Sequence, residues 1–265
     1  MNGTPPGALL HAFVLHRRDH GDTSLLIELF TAGRGRFPAI AKGARRPRHP
    51  TSALLQPFQP LWVDAVGRGE VRTLTRVEAA GRAISLHGRP LLCGFYLNEL
   101  MMRLLGRDDP HDPLFAFYHG ALSRLAAGET IDDVLRQFEL SLLGELGYAP
   151  DLAVESEDAA PVRAEACYRL DAGQGPCRTA PDDPEGVSGA TLLALAQATP
   201  LSEVQRREAR ALLRRLLEPH LGGRPLKSRA LFQRAPTRRG PAEADVATGD
   251  APQPSTLAPH RPLES

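Results

Sequence analysis

Lys42, Arg45, Arg46 and Arg48 stand in one short stretch that Gly43 and Pro47 keep from folding into a helix or strand. Ammonium and guanidinium groups at this density cannot be buried without partners, so the segment is read as a surface loop. Such a loop neutralises a row of phosphates by charge and performs no covalent step. The residues just before it, Gly35-Arg36-Phe37-Pro38-Ala39-Ile40-Ala41, alternate as a strand does and would deliver the loop to the surface. A solvated loop with no ligand explains the same residues equally well.

Other groupings with chemical potential are weaker. His20, Asp22 and Ser24 are close, but alternate residues on a turn do not make a nucleophile, base and orienter. Gly33-Arg34-Gly35 and Gly67-Arg68-Gly69 lack the strand-to-helix context of a phosphate-binding fingerprint and read as hairpin turns. Cys167 and Cys177 have no neighbouring Cys, and no His lies between Asp151 and Val187, which argues against a structural zinc. Cys93 falls in a helical pattern as a small core residue. No cofactor is implied. No carboxylate cluster has metal spacing, so a nuclease ranks last among the functional classes.

A second basic cluster, Gly222-Gly223-Arg224-Pro225-Leu226-Lys227-Ser228-Arg229, could present free N–H groups to a phosphate at a helix start, or be a plain cap with surface charge. Arg206, Arg207, Arg210, Arg214 and Arg215 follow one another along a helix and read mostly as a solvated face.

The elements that must position these residues follow from periodicity. Residues 11 to about 78 contain five short apolar runs separated by Gly-rich turns: 11–17, 24–30, 35–41, 60–66 and 70–77. Five strands in so little chain suit a small closed barrel, because closure removes exposed edges. Pro38 places the third strand at an opening or bulge. Phe37, Phe58 and Trp62 could stack bases, but Phe58 and Trp62 are expected to fill the core. From about residue 79 the period becomes helical, with helices over 91–105, 112–127 and 130–146. Thr130 and Asp133 have capping-box spacing, and Gly147 is placed to end the third helix. Residues 150–187 are a Pro/Gly/Asp-rich, loop-rich insertion, followed by helical patterns at 188–198 and 202–217, and a short one at 225–232. The segment 236–265 has little to bury and is expected to be disordered. The fold class is therefore α+β, with a barrel domain at 1–80, a helical domain at 81–235 and a tail.

Charge follows this division. Residues 1–80 hold eleven Lys and Arg against six Asp and Glu, in a chain whose formal net charge is only +1. Arg34, Arg36, Lys42, Arg45, Arg46, Arg48, Arg68 and Arg72 make the barrel basic, while the insertion is acidic. Few cysteines, no leader and no long apolar run predict a soluble cytoplasmic protein.

Several blocks together resemble one family, the bacterial DNA repair and recombination mediators of the RecO type. They are Ala12-Phe13-Val14-Leu15-His16, Asp22-Thr23-Ser24-Leu25, Ala41-Lys42-Gly43-Ala44-Arg45, Leu55-Gln56-Pro57-Phe58 and Gly67-Arg68-Gly69-Glu70-Val71. Tyr96-Leu97-Asn98-Glu99-Leu100, Arg136-Gln137-Phe138-Glu139-Leu140, Leu143-Gly144-Glu145-Leu146-Gly147-Tyr148 and Leu226-Lys227-Ser228-Arg229 continue the series to about residue 233. The wording is closest to the proteobacterial branch. The resemblance implies an N-terminal OB-fold and a helical domain whose insertion is zinc-finger-like; some relatives carry four Cys there, and this chain lacks them.

It further implies binding of single- and double-stranded DNA, annealing of complementary strands, engagement of the single-strand-binding protein SSB, and loading of RecA with the help of RecR, near the nucleoid and without catalysis. DNA contacts would come from Arg34, Arg36, Lys42, Arg45, Arg46, Arg48, Arg68 and Arg72, with Lys227 and Arg229 from the second cluster. Arg136 matches a position resembling the receptor for the acidic SSB tail, with Leu97, Leu100, Leu104 and Leu140 as groove or core. The rival class is a protein-binding adaptor whose barrel binds no DNA.

Overall fold

The first half of β1 (Leu10–His20) is buried on both faces, and this sets the architecture. Ala12 and Val14 join one apolar cluster, while Phe13 and Leu15 join another. In the computed structural model, which describes residues 9–47, 51–171 and 173–228, β1 is thus the shared wall between a barrel and a helical layer.

The barrel is completed by β2 (Ser24–Thr31), β3 (Gly35–Ala41), β4 (Leu61–Val66) and β5 (Arg72–Ala79), with a one-turn helix α1 (Thr51–Leu54) between β3 and β4. Strand order is β1-β2-β3-β5-β4, and β4 returns antiparallel to β1 through Leu10↔Val63, His11↔Trp62 and Ala12↔Leu61. The single parallel pairing, β3 with β5, begins only at Ala39, so Pro38 needs no N–H on that side. This is a five-stranded barrel of the OB type. Its interior holds Ile27, Leu29, Phe37, Leu55, Leu61 and Val63 among others.

The alternation of β4 puts Leu61, Val63 and Ala65 inside, so Trp62 faces out and is 40% exposed. That corrects the expectation of a core tryptophan; Phe58 is buried as expected.

The helical layer comprises α2 (Gly88–Leu104), α3 (Asp112–Ala126), α4 (Ile131–Glu145), α5 (Gly189–Ala196) and α6 (Glu203–Leu217), followed by a 3-10 turn at Glu218–Leu221. Thr130 precedes α4 but its side chain makes no capping bond, contrary to the spacing argument. A capping box forms instead at α6, between Ser202 and Gln205. Gly147 adopts a left-handed φ of 75° just beyond α4, as a helix-ending glycine should. The predicted helix over 225–232 runs largely outside the described residues, as does the tail.

Aromatic rings cement barrel to helices. Phe13 meets Tyr118 edge-on at 5.1 Å between centroids, and Phe30 lies 5.5 Å from Phe115. A bulge in β1 between Val14 and His16 accompanies a tie at Leu15, whose carbonyl accepts from Asn98 Nδ2 at 3.0 Å. Tyr118 donates to Asn98 Oδ1 at 2.7 Å, so this buried amide is held on two sides. The α2–α3 connection also docks along β3: Asp108 N–H donates to the Arg36 carbonyl at 2.8 Å. Gly35 sits beneath it with φ of +69°, and a Cβ there would lie 1.8 Å from the Asp109 carbonyl oxygen. Gly35→Ala is expected to cost about 2 kcal/mol or more in urea unfolding, through backbone strain and displacement of this loop.

The insertion is more ordered than its composition predicts. Three short strands, β6 (Cys167–Arg169), β7 (Cys177–Thr179) and β8 (Val187–Ser188), form an antiparallel sheet in the order β7-β6-β8. Arg–carboxylate pairs clamp it. Arg169 binds Asp183 with two bonds of 3.0 and 2.7 Å, and Thr179 adds a third at 2.6 Å. Arg178 grips both oxygens of Glu155, which also accepts from Tyr168. Arg169 holds the Asp183 carboxyl well below the usual range, and Arg178 does the same for Glu155. Carboxyls lowered in this way stabilise the fold above their unfolded values near 4 and lose that contribution as pH falls further. Amide exchange in residues 151–188 should therefore accelerate below about pH 4, and Asp183→Asn should produce the same loosening at neutral pH.

Candidate nucleic-acid and peptide interfaces

Pairing register fixes where the basic loop emerges. β2 pairs with β3 from Thr31↔Gly35 to Leu25↔Ala41, so Lys42 leaves the barrel beside the β1–β2 hairpin tip. Arg45 stitches loop to tip. Its N–H donates to the Thr23 carbonyl at 2.8 Å, its guanidinium reaches the Gly21 carbonyl at 3.1 Å, and it pairs with Asp19 at 3.0 Å. Lys42 and Arg46 remain exposed, and Arg17, Arg18 and His20 are exposed on β1. The result is a cationic rim at one end of the barrel, held rigid by Arg45. Arg48 lies outside the described residues.

The remaining predicted arginines gather elsewhere. Arg36 is largely covered in the seam with the helices, its side chain 11% exposed, donating to the Leu105 carbonyl at 3.2 and 2.9 Å and pairing with Glu28. Arg72 is 7% exposed, pairs with Asp108 at 2.5 Å and lies over the Phe37 ring at 4.5 Å. Neither can meet a phosphate from solvent, which corrects the sequence expectation for both. Their charges instead satisfy carboxylates and carbonyls where the two layers meet. Arg34 is half-buried near the same Asp108, at 3.8 Å. Arg68 is exposed in the β4–β5 turn, whose Glu70 reaches Arg107 of the docking loop at 3.7 Å. Phe37 is fully buried and can stack no base.

In the second cluster Lys227 is exposed, while Arg229 lies outside the described residues. The N–H groups of Lys227 and Ser228 do not await a phosphate. Both donate to the Glu99 carboxylate at 2.8 Å. Burial works to raise the Glu99 carboxyl, but these bonds and Arg103 outweigh it and hold it low. The turn is an internally capped one.

A different site forms around Arg136. This residue is 6% exposed, not an ordinary solvated helix arginine. Its Nη2 lies 2.9 Å from Glu139 Oε1, and Tyr96 donates to the same oxygen at 2.6 Å. Arg136 Nε is buried with no hydrogen-bond partner among the described residues, an arrangement that calls for an acceptor. It lines a pocket of about 290 Å³ with Arg89, Ile131, Asp132, Leu135, Arg210 and Arg214. Tyr96 and Glu139 complete the lining, Ile131 and Leu135 make it partly apolar, and Arg89, Arg210 and Arg214 are its exposed cations. Arg210 and Arg214 are exposed, as on a solvated face, and their spacing of four sets both beside this pocket, with Arg210 paired to Asp132 of α4. Leu97 and Leu100 are core, and Leu104 and Leu140 pack against that core without lining the pocket.

No group of three or more His, Cys, Asp or Glu among the described residues could hold a metal. Cys93 is buried and its thiol is pushed up to about 11, chiefly by desolvation, so it is not a nucleophile at neutral pH. No helix among the described residues is long and apolar enough to cross a membrane.

Comparison with known proteins matches this division of the chain. Residues 9–82 match the family model "Recombination protein O N terminal", and residues 88–230 match "Recombination protein O C terminal". Among curated relatives, the DNA repair protein RecO of Methylococcus capsulatus is 51% identical over 234 residues, covering 87% of this chain and 96% of that protein. RecO of Laribacter hongkongensis is 47% identical over 228 residues, or 83% and 92% of the two chains. RecO of Nitrosospira multiformis is 42% identical over 226 residues, or 84% and 93%. The barrel, the helical layer and both basic sites lie within the matched residues, and the chain belongs to the RecO family of DNA repair proteins.

Proposed function

We propose that this protein is a non-enzymatic mediator that holds DNA on its barrel and an acidic peptide on its helical layer. The observation that carries this reading is the separation of two cationic sites of different character. The rim formed by Lys42, Arg46 and β1 is open and hydrated, which suits the phosphates of single- or double-stranded DNA without regard to sequence. The Arg136 pocket is small, partly apolar and deep, which suits a chain terminus bearing carboxylates and a large side chain. The C-terminal tail of SSB has that chemistry. Docking the tail would bring SSB-coated strand to the rim, where annealing of complementary strands follows.

Family membership supports the further steps, in which RecR joins and RecA is loaded. On this reading the protein works in the cytoplasm, at the nucleoid. Filter binding of a labelled oligonucleotide across a salt series tests the DNA half directly. Affinity should fall steeply as salt rises, with no preference among sequences. Binding indifferent to salt, or none, would favour a protein adaptor.

A further inference from the structure

A groove of about 940 Å³ runs between β1, α2 and the segment that follows α6. Its walls carry His16, Arg103, His220, Arg224 and Lys227, and its floor includes Phe95, which is 36% exposed. Glu99 is the acidic residue in this lining, and its two oxygens are taken by the N–H groups of Lys227 and Ser228. Arg103 is likewise spent on the segment itself, donating to the carbonyls of Arg224 at 2.5 Å and Pro225 at 2.9 Å. These bonds pin the segment to α2 and leave the side chains of Arg224 and Lys227 exposed to solvent. Tyr148 stacks on His220 with centroids 3.8 Å apart, so an exposed ring stands beside the groove as well.

We propose that this groove is a second contact for single-stranded nucleic acid, continuous with the barrel rim. Arg224 and Lys227 meet phosphates, and Phe95 offers a face to a base. Three features favour this ligand over an acidic peptide. Arg224 and Lys227 line the groove as exposed side chains, whereas the cations of the other pocket surround the buried Arg136. Exposed aromatic rings accompany them, the combination that single-strand binding uses. His16 in the groove and Arg18 on the rim are two residues apart on β1, so one strand could follow both. The inference rests on the nucleic-acid reading of the barrel and extends it to the helical layer.

The test uses the full chain and two oligonucleotides of arbitrary sequence, one of about 8 nucleotides, within a single barrel's site, and one of about 20, beyond it. For Arg224→Ala with Lys227→Ala, affinity for the longer oligonucleotide should fall about tenfold, and its salt slope by about 1.4, as two single-strand phosphate contacts predict. The shorter one should bind unchanged. Phe95→Ala should lower affinity for the longer strand severalfold with the salt slope intact, separating stacking from charge. Arg224 and Lys227 are exposed, whereas the Phe95 ring also lies 5.2 Å from that of Phe58, so equal thermal midpoints check the fold. Lys42→Ala with Arg46→Ala, run alongside, should weaken both lengths. Loss with the rim variant but none with the groove variants refutes this site and leaves the barrel reading standing. Silence of all variants at both lengths overturns the barrel reading too. Weaker binding of an acidic peptide by the groove variants, with the strand unaffected, would make the groove a peptide site and refute the proposal.

Discussion

Arg136→Ala is expected to weaken an acidic SSB-tail peptide by about 2 kcal/mol or more, roughly thirtyfold, while naked single-stranded DNA binds as before. The size follows from what the side chain does. A guanidinium fixed by Glu139 and nine-tenths buried presents its remaining N–H to a carboxylate in a site that partly excludes water. Charge-assisted bonds in such surroundings exceed those made at the surface. Removing Arg136 also takes from the buried Glu139 its bond to that guanidinium, which costs stability of its own even with the Tyr96 hydroxyl still in place. Arg210→Ala guards against that confusion. Arg210 is largely exposed and pairs with Asp132 at 2.8 Å, so its loss should leave the fold intact yet weaken the peptide severalfold. Peptide titration by fluorescence anisotropy reads both. Equal losses of peptide and DNA in either variant would contradict two separate sites.

The largest effect on DNA should come from the rim. Lys42→Ala with Arg46→Ala is expected to lower the salt slope of single-strand binding by about 1.4 and the affinity by at least about tenfold near 100 mM salt. Both side chains are exposed, so the variant should keep its thermal midpoint. Arg45→Ala should behave differently. Because the Arg45 guanidinium ties the loop to Gly21 and Asp19, its removal should loosen the hairpin tip and lower stability by about 1 kcal/mol in addition to any loss of DNA, while the backbone bond to Thr23 stays. Arg36→Ala and Arg72→Ala should damage stability and leave the salt slope alone, since both serve the seam. A rim variant with an undiminished slope would place the DNA elsewhere.

Much of this is legible in the sequence, and the exceptions share a cause. Strand and helix spans followed from apolar periods of two and near four, and the three strands up to Ala41 lie close to where alternation puts them. The basic loop emerges where its Gly and Pro require. In β4 the bulk of Trp62 masks a signal that the sequence does carry: Asp64 shares a face with Trp62 and Val66, so Leu61, Val63 and Ala65 are left to fill the barrel. Sequence could not separate Lys42 from Arg36 and Arg72, since all three are cations on or near strands. The distinction depends on Asp108 and Glu28 arriving from other elements.

The Arg136 pocket was half visible. Its central arginine was found by resemblance, whereas Arg89, Arg210 and Arg214 come from helices distant in sequence. The four-residue spacing of Arg210 and Arg214 is a signal, but a helix with so many arginines hides which two border the pocket. In the insertion, cysteine arithmetic spoke against zinc and said nothing of the Arg169–Asp183 and Arg178–Glu155 pairs that bind the small sheet. Composition registers Arg, Asp and Glu as solvated surface until pairing brings them together.

The central claim is that peptide capture and strand handling occur at two sites of one molecule and are coupled. Annealing of complementary strands coated with SSB tests it most directly, using SSB with its acidic tail and SSB from which the tail has been removed. The account predicts rapid annealing with the intact tail, a large fall without it, and an Arg136→Ala protein that anneals intact-SSB strands no faster than tail-less ones. Equal annealing rates on both kinds of coated strand would contradict it.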